Sequence, residues 1–425
     1  MFFQIELLYF IVMIGVFILL VVKKLPAGLA LIISSVIGAL LSAIISKTEF
    51  QLRHFVEGGV AYFNPILLVT CAMIFMVVLQ ASGALDYISV KIVKTFRKTP
   101  SLMLISFMFI IMLPGMITGS TLASVISAGA LVGPIMIKLG IPKHKTGAII
   151  AFGAIMGEIA PPVNIPAMLI CEAVDMPYRG FTLPLLLLTI PLAIFTVLIL
   201  GRKHIRKMSL EEVEEIIDQS ILNETKWYVT LPIFILLAVI ILQNIFPKVF
   251  GIFGMPFGFI VATIPGLFVG RKINILETLT TGVEKALPAI LLLVGVGVFV
   301  QTIALNGVRG YFVMNVLNLP SFLQYIGMAI FVPLLGGVSS FASASVFGAP
   351  FVMASLNLNI VVVASGISLL AAIGEFLPPT ATAAAFTREV IEEENYLKIT
   401  KAAIIPITVT ILYAMLFIVL IARIW

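Results

Sequence analysis

The chain has 425 residues, 61% of them hydrophobic and 11% charged, with a mean hydropathy of +1.20. A soluble domain is nearer a quarter charged, so this composition excludes an ordinary water-soluble fold and points to an all-α polytopic membrane protein. The net charge of +6 is dispersed among loops and offers no nucleic-acid surface, and two cysteines (Cys71, Cys171) give neither a disulfide framework nor metal spacing.

In chain order, the apolar runs predict spans over residues 5–22 and 27–45, then a polar arm with Lys47, Glu49, Arg53 and Glu57. The start carries no basic run, so the first span reads as retained rather than as a signal peptide. A third span covers 66–85, and an amphipathic piece suited to the interface follows at 86–98. Residues 101–139 are apolar but interrupted at Pro114 to Thr121, which predicts a re-entrant helical hairpin with Gly119 and Ser120 near its tip. A broken helix follows at 147–173, then a span at 183–200 and a charged linker at 202–226, whose pattern suggests a short surface helix and whose favoured role is that of a solvated connector between the halves. The second half repeats the plan. Spans fall at 228–245 and 253–269, a polar arm at 271–285 and a span at 287–305. A second hairpin spans 322–353, a second broken helix 360–386, and a charged loop at 388–401 precedes the last span.

The broken helices share a motif. Gly157-Glu158-Ile159-Ala160-Pro161-Pro162 returns as Gly374-Glu375-Phe376-Leu377-Pro378-Pro379 at an offset of 217. Paired prolines remove backbone donors and restrict the residue before each of them, so a helix breaks there. The hairpins match independently at an offset of 219, where Pro114, Ser120 and Gly129 pair with Pro333, Ser339 and Gly348. Two inverted repeats are therefore expected, residues 1–225 and 226–425. If each hairpin enters and leaves on one side, each half crosses five times and the halves are inverted. With the N-terminus outside, only Lys47, Arg53, Arg179, Lys248, Arg309 and Arg423 lie outside, leaving 20 of the 26 basic residues inside. Both termini are then external.

Unwound backbone at membrane depth occurs only where protein buries it or a cavity meets it, and paired interrupted helices point to a transporter's binding site. Half-helix N-termini suit an anionic group, and free carbonyls suit a small cation. Glu158 and Glu375 each cost about 2.5–3.5 kcal/mol at bilayer depth on insertion scales. Three roles are open to them: cation coordination, proton binding, or capping of the donors freed beside the prolines. Asn164, Thr380 and Thr382, with Pro162 and Pro379 beside them, are candidate substrate residues or caps of their own half-helices. Gly119, Ser120, Thr121, Ser339, Ser340 and Ser343 at the tips, with Gly157 and Gly374, are candidates for cation sites. Small residues also serve tight helix packing. The absence of a Walker loop, a His-Glu-x-x-His helix or a credible Ser/His/Asp set argues against an ATP-driven pump, an intramembrane hydrolase and an organic cofactor.

Four stretches give nearly the whole chain a resemblance to the large membrane subunit of tripartite ATP-independent periplasmic (TRAP) transporters, in the ion-transporter superfamily. They are Gly119-Ser120 with the small residues to Gly133-Pro134, the loops 157–162 and 374–379, and Ser82-Gly83-Ala84-Leu85-Asp86. The resemblance implies an elevator mechanism in a bacterial inner membrane. It implies sodium-coupled uptake of a C4-dicarboxylate-like or sugar acid, a periplasmic binding protein and a small four-helix membrane subunit. It also implies that Gly119, Ser120, Ser339, Ser340 and the two loops shape two sodium sites. Glu158 and Val163 depart from the family's pattern, which leaves the coupling ion and the acid open. The competing reading is an autonomous carboxylate symporter or Na⁺/H⁺ antiporter of the same superfamily, without a binding protein. A channel or passive scaffold is a third.

Overall fold

The structure is a computed structural model that describes residues 5–47, 50, 52–205, 226–246 and 254–424. Among the described residues every regular element is helical. Among the described residues eight helices are long and apolar enough to cross a membrane: Ile5–Val22, Ala27–Ser46, Phe63–Ala81, Pro100–Thr118, Thr121–Lys138, Thr182–Gly201, Ile275–Leu305 and Ile404–Ile424. The chain is a multi-pass membrane protein.

Local chemistry sets the ends of these helices. Pro100 sits in the first turn of its helix, where a missing N–H costs nothing. Ala27–Ser46 follows Pro26 and stops at Lys47, which turns left-handed at φ 51°. Asn274 caps Ile275–Leu305 by accepting the Glu277 N–H at 3.4 Å.

Two expectations need correction here. The polar arm at 271–285 and the span at 287–305 are one helix of 31 residues, Ile275–Leu305, with Pro288 inside it. At about 1.5 Å per residue it outreaches a bilayer core of about 30 Å, so its charged first turns belong to the same rod. The first polar arm is also helical, Leu52–Ala61, and an unforeseen helix, Val308–Leu317, links the long rod to the second hairpin. The predicted linker helix falls largely on 206–225, which lies outside the described residues.

Two large hydrophobic cores organise the packing, and each draws on both halves of the chain. One joins Pro100–Thr118 and Lys143–Ile159 to Ile360–Ile373 and Ile404–Ile424. The other joins Ile5–Val22, Ala27–Ser46 and Phe63–Ala81 to Ile275–Leu305. In this second body the backbones touch. A Cβ at Gly295 would lie 2.3 Å from the Gly28 carbonyl oxygen, and one at Gly297 would lie 2.1 Å from that of Gly58. Small residues at such crossings let membrane helices approach closely.

Candidate functional site

The site begins at two helix–tip–helix units and two interrupted helices. Pro100–Thr118 ends at Gly119, whose φ of 64° requires a left-handed turn, and Thr121–Lys138 then starts from Ser120. Ser321–Gly336 and Ser340–Ala354 also meet at a tip serine, Ser339, although Gly337 before it stays right-handed at φ −63°. Each tip serine caps its own helix, with Ser120 Oγ accepting the Ala123 N–H at 3.4 Å and Ser339 Oγ accepting the Ala342 N–H at 3.3 Å. Lys143–Ile159 and Ile165–Ala173 flank the first Pro-Pro loop; Ile360–Ile373 and Thr382–Val390 flank the second. The Pro161–Pro162 and Pro378–Pro379 bonds are both cis.

The tips and loops converge on the two glutamates, both more than nine-tenths buried. The Thr121 N–H donates to Glu158 Oε2 at 3.1 Å, and the Thr121 hydroxyl donates to the same oxygen. Ser340 Oγ sits between the carboxyls, 2.9 Å from Glu158 Oε1 and 2.7 Å from Glu375 Oε1. Glu158 therefore caps the N-terminus of Thr121–Lys138 rather than the donors of its own loop. A helix N-terminus carries about half a positive charge and favours a carboxylate there. One hydroxyl thus ties together two loops that lie 217 residues apart in the chain.

A cavity of about 290 Å³ opens onto this cluster. Of the sequence candidates, Ser120, Thr121, Glu158, Ser339, Ser340, Glu375 and Thr382 line it. The facing wall is apolar, built from Pro26–Gly28 at the start of one helix and from Pro288, Ala289, Leu291 and Leu292 in the long rod. Leu122, Val338, Phe341 and Phe386 complete the lining. Among the described residues none of the lining side chains is Lys, Arg or His.

The remaining candidates stand elsewhere. Asn164 is fully buried; its Oδ1 accepts the Ala167 N–H at 2.8 Å, and its amide donates to Ile159 O and Ser368 Oγ. Thr380 is also turned away, its hydroxyl donating to Gly337 O at 2.8 Å. Pro162 and Pro379 belong to the loops but not to the lining. Ser343 donates to Val332 O on the other hairpin arm at 2.7 Å. Gly119, Gly157 and Gly374 are contact points. A Cβ at Gly119 would meet Ile165 at 2.6 Å, one at Gly157 would meet Met112 O at 2.4 Å, and one at Gly374 would meet Pro333 O at 2.3 Å.

The wall and the two phenylalanines had no reading as site residues. Phe386 stands one turn beyond Thr382, so the two share a helix face, and that spacing was the available signal. Pro26 and Pro288 are single prolines with no partner motif, and nothing local marks them as a surface facing the tips.

The comparisons with known proteins bear on this geometry. No curated protein sequence matches the chain. Its fold is similar to that of the Alcanivorax borkumensis YdaH transporter, whose crystal structure was described as revealing an unusual topology. The TM-score is 0.59 over 87% of this chain and 87% of that one, at 15% identity, a likeness of fold alone. The model of the tripartite ATP-independent periplasmic transporter DctM component matches residues 14–424. With that match spanning both tips, both Pro-Pro loops and the wall, the chain belongs to the DctM family, the large membrane component of TRAP transporters.

Proposed function

We propose that the chain imports a small organic acid, handed over by a periplasmic binding protein, with sodium as the coupling ion. The single observation behind this reading is the convergence of two tips and two interrupted helices on one cavity, with buried carboxylates on one side and an apolar wall on the other. The oxygens of Thr121, Glu158, Ser340 and Glu375 are hard donors of the kind that suits a small hard cation. They would hold sodium, which supplies positive charge beside an anionic substrate.

Two inverted repeats, 1–225 and 226–425, account for the paired units, and the apolar wall facing the tips suits an elevator in which the hairpins and interrupted helices move against the helices that build that wall. Long-range ties agree with the orientation that the basic residues suggest. Arg271 pairs with Asp86 at 2.8 Å and Lys143 Nζ approaches Glu392 O at 3.5 Å, each tie joining segments assigned to the inside. The Arg309 guanidinium donates to Ala173 O, joining segments assigned to the outside. Both termini are then external, and a small four-helix membrane subunit would cover part of the apolar surface.

The test is uptake of labelled small acids in proteoliposomes, with and without an inward sodium gradient and with and without the binding protein. Accumulation that needs both is the expected result. Uptake that ignores sodium overturns the coupling, and full uptake without a binding protein favours an autonomous carrier.

A further inference from the structure

Ala84–Phe96, the helix between Phe63–Ala81 and the first hairpin, has no part in the cavity. Its two faces differ. Ala84, Leu85, Ser89, Val90 and Val93 are buried against the neighbouring helices. On the outer face two rows run side by side along the axis, each stepping by four residues. Tyr87, Lys91 and Thr95 form one row, and Ile88, Ile92 and Phe96 form the other. Together they line a groove of about 170 Å³.

The charge on this outer face has one sign. Lys91 and Lys94 stand three positions apart on the Tyr87 side of the groove, and Lys98 continues their row just past the helix end. Arg97 lies between the last two in the chain. Among the described residues no carboxylate pairs with any of the four. The one acid of the helix, Asp86, is taken by Arg271 at 2.8 Å. The Arg97 Nε is shielded from solvent and meets no acceptor among the described residues. A row of unpaired cations beside an apolar row suits a partner that is anionic at one end and apolar at the other.

The depth of the helix suits the same partner. The short turn Trp227–Thr230 packs on it, and there Trp227 is 67% and Tyr228 41% exposed. Exposed Trp and Tyr collect at the level of the lipid headgroups. In the orientation that the basic residues suggest, this is the cytoplasmic leaflet, whose anionic lipids attract lysines at the membrane surface.

We infer that the outer face of Ala84–Phe96 binds an anionic phospholipid, with the phosphate on Lys91, Lys94 and Lys98 and an acyl chain along Ile88, Ile92 and Phe96. Neither the coupling ion nor the transported acid enters into this. The bound lipid would hold at the membrane surface the connection between Phe63–Ala81, which packs on the long rod, and the first hairpin.

The test is titration of the purified full-length chain in mixed micelles with dioleoyl phosphatidylglycerol or dioleoyl phosphatidylcholine, read by the rise in unfolding temperature. The two lipids share their acyl chains and differ in net charge. Phosphatidylglycerol should act at a concentration lower by about tenfold or more, since each lysine near an anionic surface is worth about fivefold. Lys91→Gln/Lys94→Gln/Lys98→Gln should lose that preference. Lys23→Gln/Lys24→Gln, which removes two basic residues assigned to the same side of the membrane, should keep it. Added salt should shrink the preference, because exposed charges are screened. Equal action of the two lipids on the unaltered protein overturns the inference, whatever the variants do. So does a preference that survives the triple substitution, or one that Lys23→Gln/Lys24→Gln removes as fully. Glycerol 3-phosphate carries the phosphate without the chains and should give no shift at the same concentrations. A shift equal to that of the lipid would mark a site for free phosphate and overturn the lipid.

Discussion

The two Pro-Pro loops share a motif and a cis bond but live in different surroundings. The first is sealed. Pro161, Val163 and Asn164 are buried, and Asn164 ties the start of Ile165–Ala173 to Ile159 and, across the fold, to Ser368. The second is half open, with Pro378 and Pro379 exposed and Ala381 left-handed at φ 44°. Its Thr380 is held through the N–H and the hydroxyl to one acceptor, Gly337 O, on the neighbouring tip. The lesson is that a repeated motif sets the backbone break, while the residues after it decide how firmly the break is held. The first loop is anchored in the interior; the second hangs from its own hairpin.

The comparison can be broken or sharpened by substitution. The largest effect is expected at the glycines, where the loops should behave alike. A Cβ at Gly157 or Gly374 meets backbone atoms, at 2.4 Å and 2.3 Å, and backbone does not step aside as a side chain does. Gly157→Ala and Gly374→Ala should each lose about 3 kcal/mol, the upper end of typical overpacking costs, in unfolding equilibria in mixed detergent. A spared Gly374→Ala would mean that the second break is loose even at its root.

Next comes the contrast itself. Asn164→Ala strands a buried N–H and a carbonyl, while the Ser368 hydroxyl keeps its bond to Ser365 O, and should lose about 2–3 kcal/mol, whereas Thr380→Ala removes one side-chain hydrogen bond and should lose about 1 kcal/mol. Equal losses would erase the distinction.

The smallest effect lies at the cytoplasmic side in the proposed orientation. Partial burial, and then the charges of Lys145, His144 and Lys203, hold His204 below its usual 6.5; its Nε2 lies 3.1 Å from Lys145 Nζ. The folded chain binds fewer protons there than the unfolded chain, so stability is complete above pH 6.5 and falls as the pH drops from 6.5 through the lowered value. His204→Gln should flatten that slope in thermal unfolding between pH 7 and 5 and leave the difference between the loops untouched.

The breaks were legible because Gly, Pro-Pro and tip serines are local signals, each tied to a backbone that cannot continue as helix. The glutamates were legible as residues but not as partners. That Glu158 reaches Thr121 depends on how Lys143–Ile159 packs against the hairpin, which no spacing encodes. Ser343 looked like a tip hydroxyl, yet three positions beyond Ser340 it faces the opposite arm, bonded to Val332 O. The polar arm at 271–285 stands apart from the span at 287–305 in the sequence because Glu277, Glu284 and Lys285 are charged, but a helix that leaves the membrane is free to stay helical in water. The wall was hidden for the same non-local reason. Pro26 and Pro288 lie 262 positions apart, and only the close crossing at Gly28 and Gly295 brings them together.

That wall has a mechanical consequence. Its side chains are Pro, Ala and Leu, with Gly28 between them, so every side-chain hydrogen bond offered to a ligand comes from the tip-bearing side of the cavity. The grip is one-handed. If the tips shift along the wall, dispersion contacts exchange for similar dispersion contacts, and no directional bond has to be broken and remade. In the proposed elevator the wall would serve as a low-friction bearing, with the ligand carried by the body that holds it.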